Sequence, residues 1–279
     1  MDNLIKSGRI IYATGIAALG ILSIISKDFI VGRPPAWPAG FDINPVLAYV
    51  SGTLLVIASI AIITRKKAAQ AALIIAGLIF LLSVLRHLPY FMDDWGNSYK
   101  SMALVGGSLI IAGSFFREDG MMSSGAPINE MLIKNFVIIG CILIAAFFIS
   151  SGYAHFKFDE FVKVFIPQYI PFHPFWTYFC GICLFAGAVG LLIPRTRRLA
   201  ALLSGIMIGG WFILLHIPRF ISNTNDASDR MGLFESFTFV GIFFVLAGML
   251  TNKTGNNFKT RLQTDSARVG YQTHNEIIH

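Results

Sequence analysis

Eight stretches of this chain are apolar for long enough to cross a hydrocarbon core about 30 Å thick, which takes roughly 17 to 25 residues of helix. They cover approximately residues 10–26, 46–64, 68–91, 99–116, 131–152, 175–193, 199–220 and 231–250. Lipid offers backbone groups no partners, so apolar runs of this length must satisfy their own hydrogen bonds as helices. Composition agrees, since 55% of the 279 residues are hydrophobic and only 13% charged, against about 25% charged in a soluble domain. The expected fold is an all-α integral membrane protein with eight transmembrane helices. The first is preceded by Lys6 and Arg9 in the manner of a secretory signal, but no small-residue cleavage site follows it, and it is expected to be retained as a span.

The net charge of +7 does not mark a nucleic-acid binder, because the basic residues punctuate apolar helices instead of clustering on one solvated face. Their placement indicates topology. The side that holds the amino terminus collects 14 of the 22 basic residues, including Arg65-Lys66-Lys67 and Arg195, Arg197 and Arg198. The other side collects 9 of the 15 acidic residues, among them Asp28, Asp93, Asp94, Asp226, Asp229 and Glu235, together with Trp37, Trp95 and Trp176. The positive-inside rule then places both termini in the cytoplasm, with the lipid bilayer as the first partner.

The sequence repeats itself at an offset of 129 residues: Ile43-Asn44-Pro45-Val46 falls on Phe172-His173-Pro174-Phe175, Ala71-Ala72-Leu73 on Ala200-Ala201-Leu202, and His87-Leu88-Pro89 on His216-Ile217-Pro218. Helices, basic turns and prolines recur in the same order, which chance similarity of apolar segments would not preserve. A unit with an even number of spans ends on the side where it began, so two tandem copies are parallel and related by an axis along the membrane normal. The expected organisation is a first four-helix repeat over 1–116, a cytoplasmic linker over 117–130, a second repeat over 131–251 and a polar, disordered tail over 252–279. A short amphipathic segment at 156–165, with Phe158, Phe161, Val162 and Phe165 opposite Asp159, Glu160 and Lys163, suits the membrane interface.

In the second half, Ser151-Gly152-Tyr153-Ala154-His155-Phe156, the loop Pro171-Phe172-His173-Pro174-Phe175-Trp176, the run from Gly187 to Leu192, and Ile193-Pro194-Arg195-Thr196-Arg197-Arg198-Leu199-Ala200-Ala201 resemble the DoxX-like family over roughly residues 136–250. The internal repeat extends the resemblance to the first half. It implies a four-helix membrane unit, here duplicated, in a bacterial cytoplasmic (inner) membrane. The family's named member is a subunit of a thiosulfate:quinone oxidoreductase, and relatives serve in thiol or oxidant defence and in maturation of redox enzymes, so the resemblance also implies redox partner proteins. It carries no diagnostic catalytic set. The first copy has Ser26 and Asn44 where the second has His155 and His173.

The candidate ligand-binding residues are Arg86, His87, His216 and Arg219, ionisable groups about one turn inside the non-terminal ends of the third and seventh spans, where such groups are costly without a partner. With a repeat axis along the normal, His87 and His216 lie at equal depth and can face each other. They are then able to bind a quinone head group, a metal, or haem iron through both imidazoles. The structural alternative has each histidine bonded to a carbonyl freed by the proline two residues later, and the arginines reaching Asp93, Asp94, Asp226 or Glu235. Cys180 and Cys183 share one helix face as Cys-Gly-Ile-Cys and suit either a redox thiol pair or small-residue packing. Gly106-Gly107, Gly187, Gly205 and Gly209-Gly210 lie within apolar spans and suit close helix contacts. No zinc signature, nucleophile elbow or paired-acid arrangement is present. The leading reading is a membrane subunit of a redox system that binds a quinone-like molecule, ahead of an assembly factor or scaffold and of a transporter.

Overall fold

The computed structural model describes residues 2–38, 40, 44–122 and 130–250. Among them all regular structure is helical, and eight helices are long and apolar enough to cross a membrane. The spans of the first half are α1 (Asp2–Ser26), α2 (Asn44–Ile63), α3 (Ala68–His87) and α4 (Trp95–Met122). A short 3₁₀ turn, Leu88–Tyr90, extends α3. The second half comprises α5 (Glu130–Lys157), the short α6 (Asp159–Phe165), α7 (His173–Leu192), α8 (Arg197–Trp211), α9 (Ile217–Ser222) and α10 (Ala227–Met249). A π-helical turn at Phe212–His216 joins α8 to α9, so these form one continuous span.

Local sequence sets the ends. Proline occupies the first turn of α7, where its missing N–H is no loss. The Asp226 carboxylate accepts from the Asp229 amide at 2.8 Å and starts α10 four residues before the expected boundary. Helix α4 runs to Met122, past the expected end of the first repeat. Residues 123–129 of the expected linker, and the tail from Thr251 on, lie outside the described residues.

The spans form a ring in the order α1, α2, α3, α4, α5, α7, α8–α9, α10 and back to α1, with α4 and α10 also meeting across the middle. Exchanging the halves leaves this order unchanged, as a two-fold axis along the bundle requires. The close approaches obey the same exchange. A Cβ on Gly8 would stand 2.8 Å from the Gly241 carbonyl oxygen where α1 meets α10, and one on Gly106 would stand 2.9 Å from the Gly140 oxygen where α4 meets α5. Only backbones without side chains approach so closely. Helices α4 and α10 are the most enclosed, with 72% and 78% of their apolar windows buried. Phe147 stacks on Phe239 and Phe148 packs on Phe243, with centroids 5.4 and 5.5 Å apart, so α5 is keyed to α10 through aromatic rings.

At the end of the bundle that carries the termini, Arg9 donates to Ser114 at 2.9 Å and pairs with Glu118, which also pairs with Arg65. Arg117 donates to the Met249 carbonyl at 2.6 Å. These ties secure α1, α4 and α10 below the candidate site, which lies at the other end.

Candidate functional site

The loop after α1, residues 27–38, folds over the non-terminal end of the bundle, and Arg86 is its anchor. The guanidinium is 2% exposed and donates to the Asp28 carboxylate at 2.8 Å, to the Phe29 carbonyl at 2.6 Å and to the Pro35 carbonyl at 2.8 Å. It lies 4.6 Å from the Trp37 ring, whose indole N–H donates to Asp28 at 2.7 Å. All three guanidinium nitrogens are thus engaged. The partner is Asp28, not the Asp93, Asp94, Asp226 or Glu235 expected from sequence. The loop reaches back under the end of α3, and position 28 arrives first.

Gly32 sits deeper. Its amide donates to Glu235 Oε1 at 2.9 Å, and a Cβ there would meet Ser101 Oγ at 1.9 Å. Its φ of +81° independently favours glycine. Glu235 is 4% exposed and lies eight residues into α10, about 12 Å along the helix. A carboxylate at that depth requires partners, and it finds Lys100 at 3.0 Å, besides Gly32. Arg33 donates to the Ser228 hydroxyl and carbonyl, each at 2.8 Å, and its Nε stands 3.7 Å from Glu235 Oε2, too far to hydrogen-bond.

His87 is 4% exposed, with Nε2 3.1 Å from Ser101 Oγ and Nδ1 3.2 Å from Asp94 Oδ2, the latter without hydrogen-bond alignment. Its ring is enclosed, and both nitrogens face protein groups. His216 differs. It is half-buried, and among the described residues its ring makes no hydrogen bond or ion pair. The Leu214 carbonyl, four residues before Pro218, accepts from the Tyr169 hydroxyl and not from His216. The imidazole instead lies in a notch made by Gly232: a Cβ at that glycine would be 3.0 Å from His216 Nδ1 and 2.7 Å from Arg33 Nη2. Arg219 pairs with Asp229 at 2.8 Å and lies 4.6 Å from the Phe165 ring, the same ion-pair-and-aromatic clamp that Arg86 makes with Asp28 and Trp37.

The two histidines therefore do not meet. A chain of contacts leads from His87 through Ser101 and Gly32 to Glu235, and from there through Arg33 and the Gly232 notch to His216. With both His87 nitrogens turned to protein groups, this arrangement does not suit one iron shared by the two imidazoles. Among the described residues no group of three or more metal-ligating side chains converges.

The surroundings of α8 and α9 carry the larger contrast between the copies. Half of the α3 apolar window is buried, but only 17% of the window in Arg197–Ser222. Ser83 and His87 are sealed in the first copy, whereas Phe212 and His216 at the matching positions are half-buried, and no residue from 206 to 228 is buried. Yet Gly209, Phe212 and His216 are the residues that α8 and its π turn direct at α10. A Cβ on Gly209 would meet Val240 at 3.7 Å, Phe212 stacks on Phe237 at 5.0 Å, and His216 meets Gly232. That face is half-buried where it packs on α10, and its polar end is the His216 imidazole beside Gly232 and Arg33.

Sequence reasoning singled out Arg86, His87, His216 and Arg219, named Glu235 only as an acid the arginines could reach, and missed Arg33, Lys100 and Gly232. Glu235 carried a usable signal, being an acid inside an apolar span. Arg33 carried none, since its place depends on how the loop folds. Cys180 and Cys183 are free thiols; Cys180 is buried and accepts a hydrogen bond from the Trp211 indole at 3.1 Å. His155 bonds the Ser151 carbonyl at 2.7 Å, and His173 the Pro167 carbonyl at 3.2 Å, both local ties of the second copy.

A domain of unknown function (DUF8561) matches residues 144–225. That stretch overlaps the residues that resemble the DoxX-like family, but the match is to this domain and not to that family. It includes Cys180, Cys183, His216 and Arg219 and ends before Gly232 and Glu235. No curated protein and no solved structure matches the chain.

Proposed function

We propose that this multi-span membrane protein is a DoxX-like subunit of a redox system, holding a quinone-like molecule between α8 and α10. The observation that carries the reading is the unsealed α8 face that ends at an unbonded imidazole beside Arg33. An amphipathic molecule fits such a place: its apolar body lies against Phe212, Val240 and Phe237, and a head-group oxygen accepts from Arg33 and His216. The sealed His87 then acts in the first copy as a structural counterpart, and Arg86 and Arg219 hold the two loops that frame the site. In this reading both termini are cytoplasmic, the site lies in the outer leaflet of a bacterial inner membrane, and electrons pass to or from a partner protein.

Protein purified in mild detergent should carry an organic-extractable, ultraviolet-absorbing ligand. His216→Ala should lose it, and His87→Gln should retain it. A wild type that carries no such ligand and binds no added short-chain quinone overturns the reading.

A scaffold function is the second reading, favoured by the aromatic surface at the same end, where Phe161 and Phe172 are 66% and 78% exposed. Photo-crosslinking from these two positions should then capture one particular protein, and His216→Ala should leave function intact.

A further inference from the structure

The connection after the first span of each copy has two different fates. In the first copy, residues 27–38 fold inward over the bundle, and Phe29 and Val31 are fully buried. The repeat sets Phe158 on Phe29 and Phe161 on Gly32, yet Phe158 and Phe161 are exposed, and Val164 is 78% exposed. Helix α6 is turned the opposite way from a helix that rests on a protein in water. Its ionic edge faces the molecule: Asp159 accepts from Tyr178 of α7 at 2.8 Å and from Lys163 at 2.7 Å, and the Asp159 and Lys163 side chains are only 25% and 20% exposed. Glu160 pairs with the same Lys163 at 2.8 Å. At 3.6 residues per turn these three charges fall within about 100° of arc, and Phe158, Phe161 and Val164 occupy the rest of the circumference.

The open apolar edge continues into the outward face of a membrane span. Phe156 packs on Tyr178 with centroids 5.6 Å apart, and Phe175 stacks on Phe179 at 5.5 Å. All four rings are exposed, as is Ile182 farther along α7. Depth agrees as well. Tyr178 is five residues past the start of α7, about 8 Å along it, and amphipathic helices at a membrane surface bury their apolar face about 5–10 Å into the boundary between headgroups and acyl chains.

We infer that α6 is a membrane-surface anchor, and that the lipid bilayer covers its open edge on the side away from the termini. Phe158, Phe161 and Val164 lie among acyl chains, and the ionic edge lies between α7 and the headgroups. The inference is independent of any ligand near His216.

The test places a photoreactive ring on that edge. The full-length variants Phe161→benzoylphenylalanine and Val164→benzoylphenylalanine, with Asn223→benzoylphenylalanine in the loop between α9 and α10 as the reference, are reconstituted into vesicles of phosphatidylethanolamine and phosphatidylglycerol and irradiated. Intact-protein mass then reports what each position has captured. Phospholipid adducts from 161 and 164 should exceed those from 223 by about tenfold, the preference that follows from taking one large apolar side chain out of water. Yields no higher than at 223 overturn the anchor and leave α6 in water. A predominant adduct of two chains overturns it in favour of a second copy, and capture of one particular protein in native membranes overturns it in favour of a protein partner. Should one α6 variant fail to fold, the other decides by the same comparison.

Discussion

Arg86 of α3 and Arg33 of the loop over it show how differently two arginines act around one loop. Arg86 spends its donors on Asp28, Phe29 and Pro35, so its removal leaves a carboxylate and two carbonyls without their partner. Arg86→Ala should cost about 2–3 kcal/mol, less than a fully buried pair because Asp28 keeps some contact with water. The check is the midpoint of unfolding in mixed detergent micelles, and an unchanged midpoint would contradict the anchor. Gly232→Ala separates binding from stability. Its Cβ would stand 2.7 Å from Arg33 Nη2 and 3.0 Å from His216 Nδ1, so quinone-analogue affinity should fall about tenfold, the equivalent of ~1.4 kcal/mol. Gly77→Ala has nothing within 4 Å of the new methyl and serves as the neutral control. At this scale the sequence was only half legible. The histidines and arginines stood out because ionisable groups are rare in apolar spans. Glycine reads the same whether it seats a helix or leaves a notch.

The elements themselves followed from hydropathy, but their packing did not. Apolar periodicity does not give how much of a span its neighbours cover, and so the difference between α3 and the α8–α9 span, half against 17% of the apolar window buried, appears only in the packing. The π turn has a tie visible only in three dimensions, where the Tyr169 hydroxyl donates to the Leu214 carbonyl within it. Tyr169→Phe should weaken this turn by about 1 kcal/mol, seen as faster amide hydrogen exchange over 212–216 with exchange elsewhere unchanged. Helix α6 is tied to α7 by Tyr178, which donates at 2.8 Å to the Asp159 carboxylate that also accepts from Lys163 within α6 at 2.7 Å. The Lys163 hydrogen bond, then that of Tyr178, holds the Asp159 carboxyl below its usual range. The Asp159 hydrogen bond in turn raises the Lys163 ammonium above its usual range. A lowered acid keeps its contribution until pH falls through the lowered value, and a raised base until pH rises through the raised one. Protection of the α6 amides, corrected for intrinsic exchange, should therefore be flat from about pH 5 to about pH 9. A transition inside that window would contradict the tie.

For the whole molecule the duplication was readable because turns, prolines and glycines recur in order, and the ring of spans obeys the exchange that the duplication implies. The chemistry does not obey it. Gly32, Arg33 and Lys100 of the first half meet Gly232 and Glu235 of the second at one off-axis place. The first copy's histidine is enclosed by Ser101 and Asp94, while the second's is half-buried beside Gly232 and Arg33. The repeat equates the positions of His87 and His216 in the sequence but says nothing of their surroundings, because loops fold around each copy separately. The central claim, one ligand site in the second copy, is tested most directly by photolabelling membranes with an azidoquinone and mapping the modified peptide. Labelling within residues 206–240, competed away by unlabelled quinone, is the predicted result. Labelling centred on the matching part of the first copy, around Ser83 and His87, would contradict it.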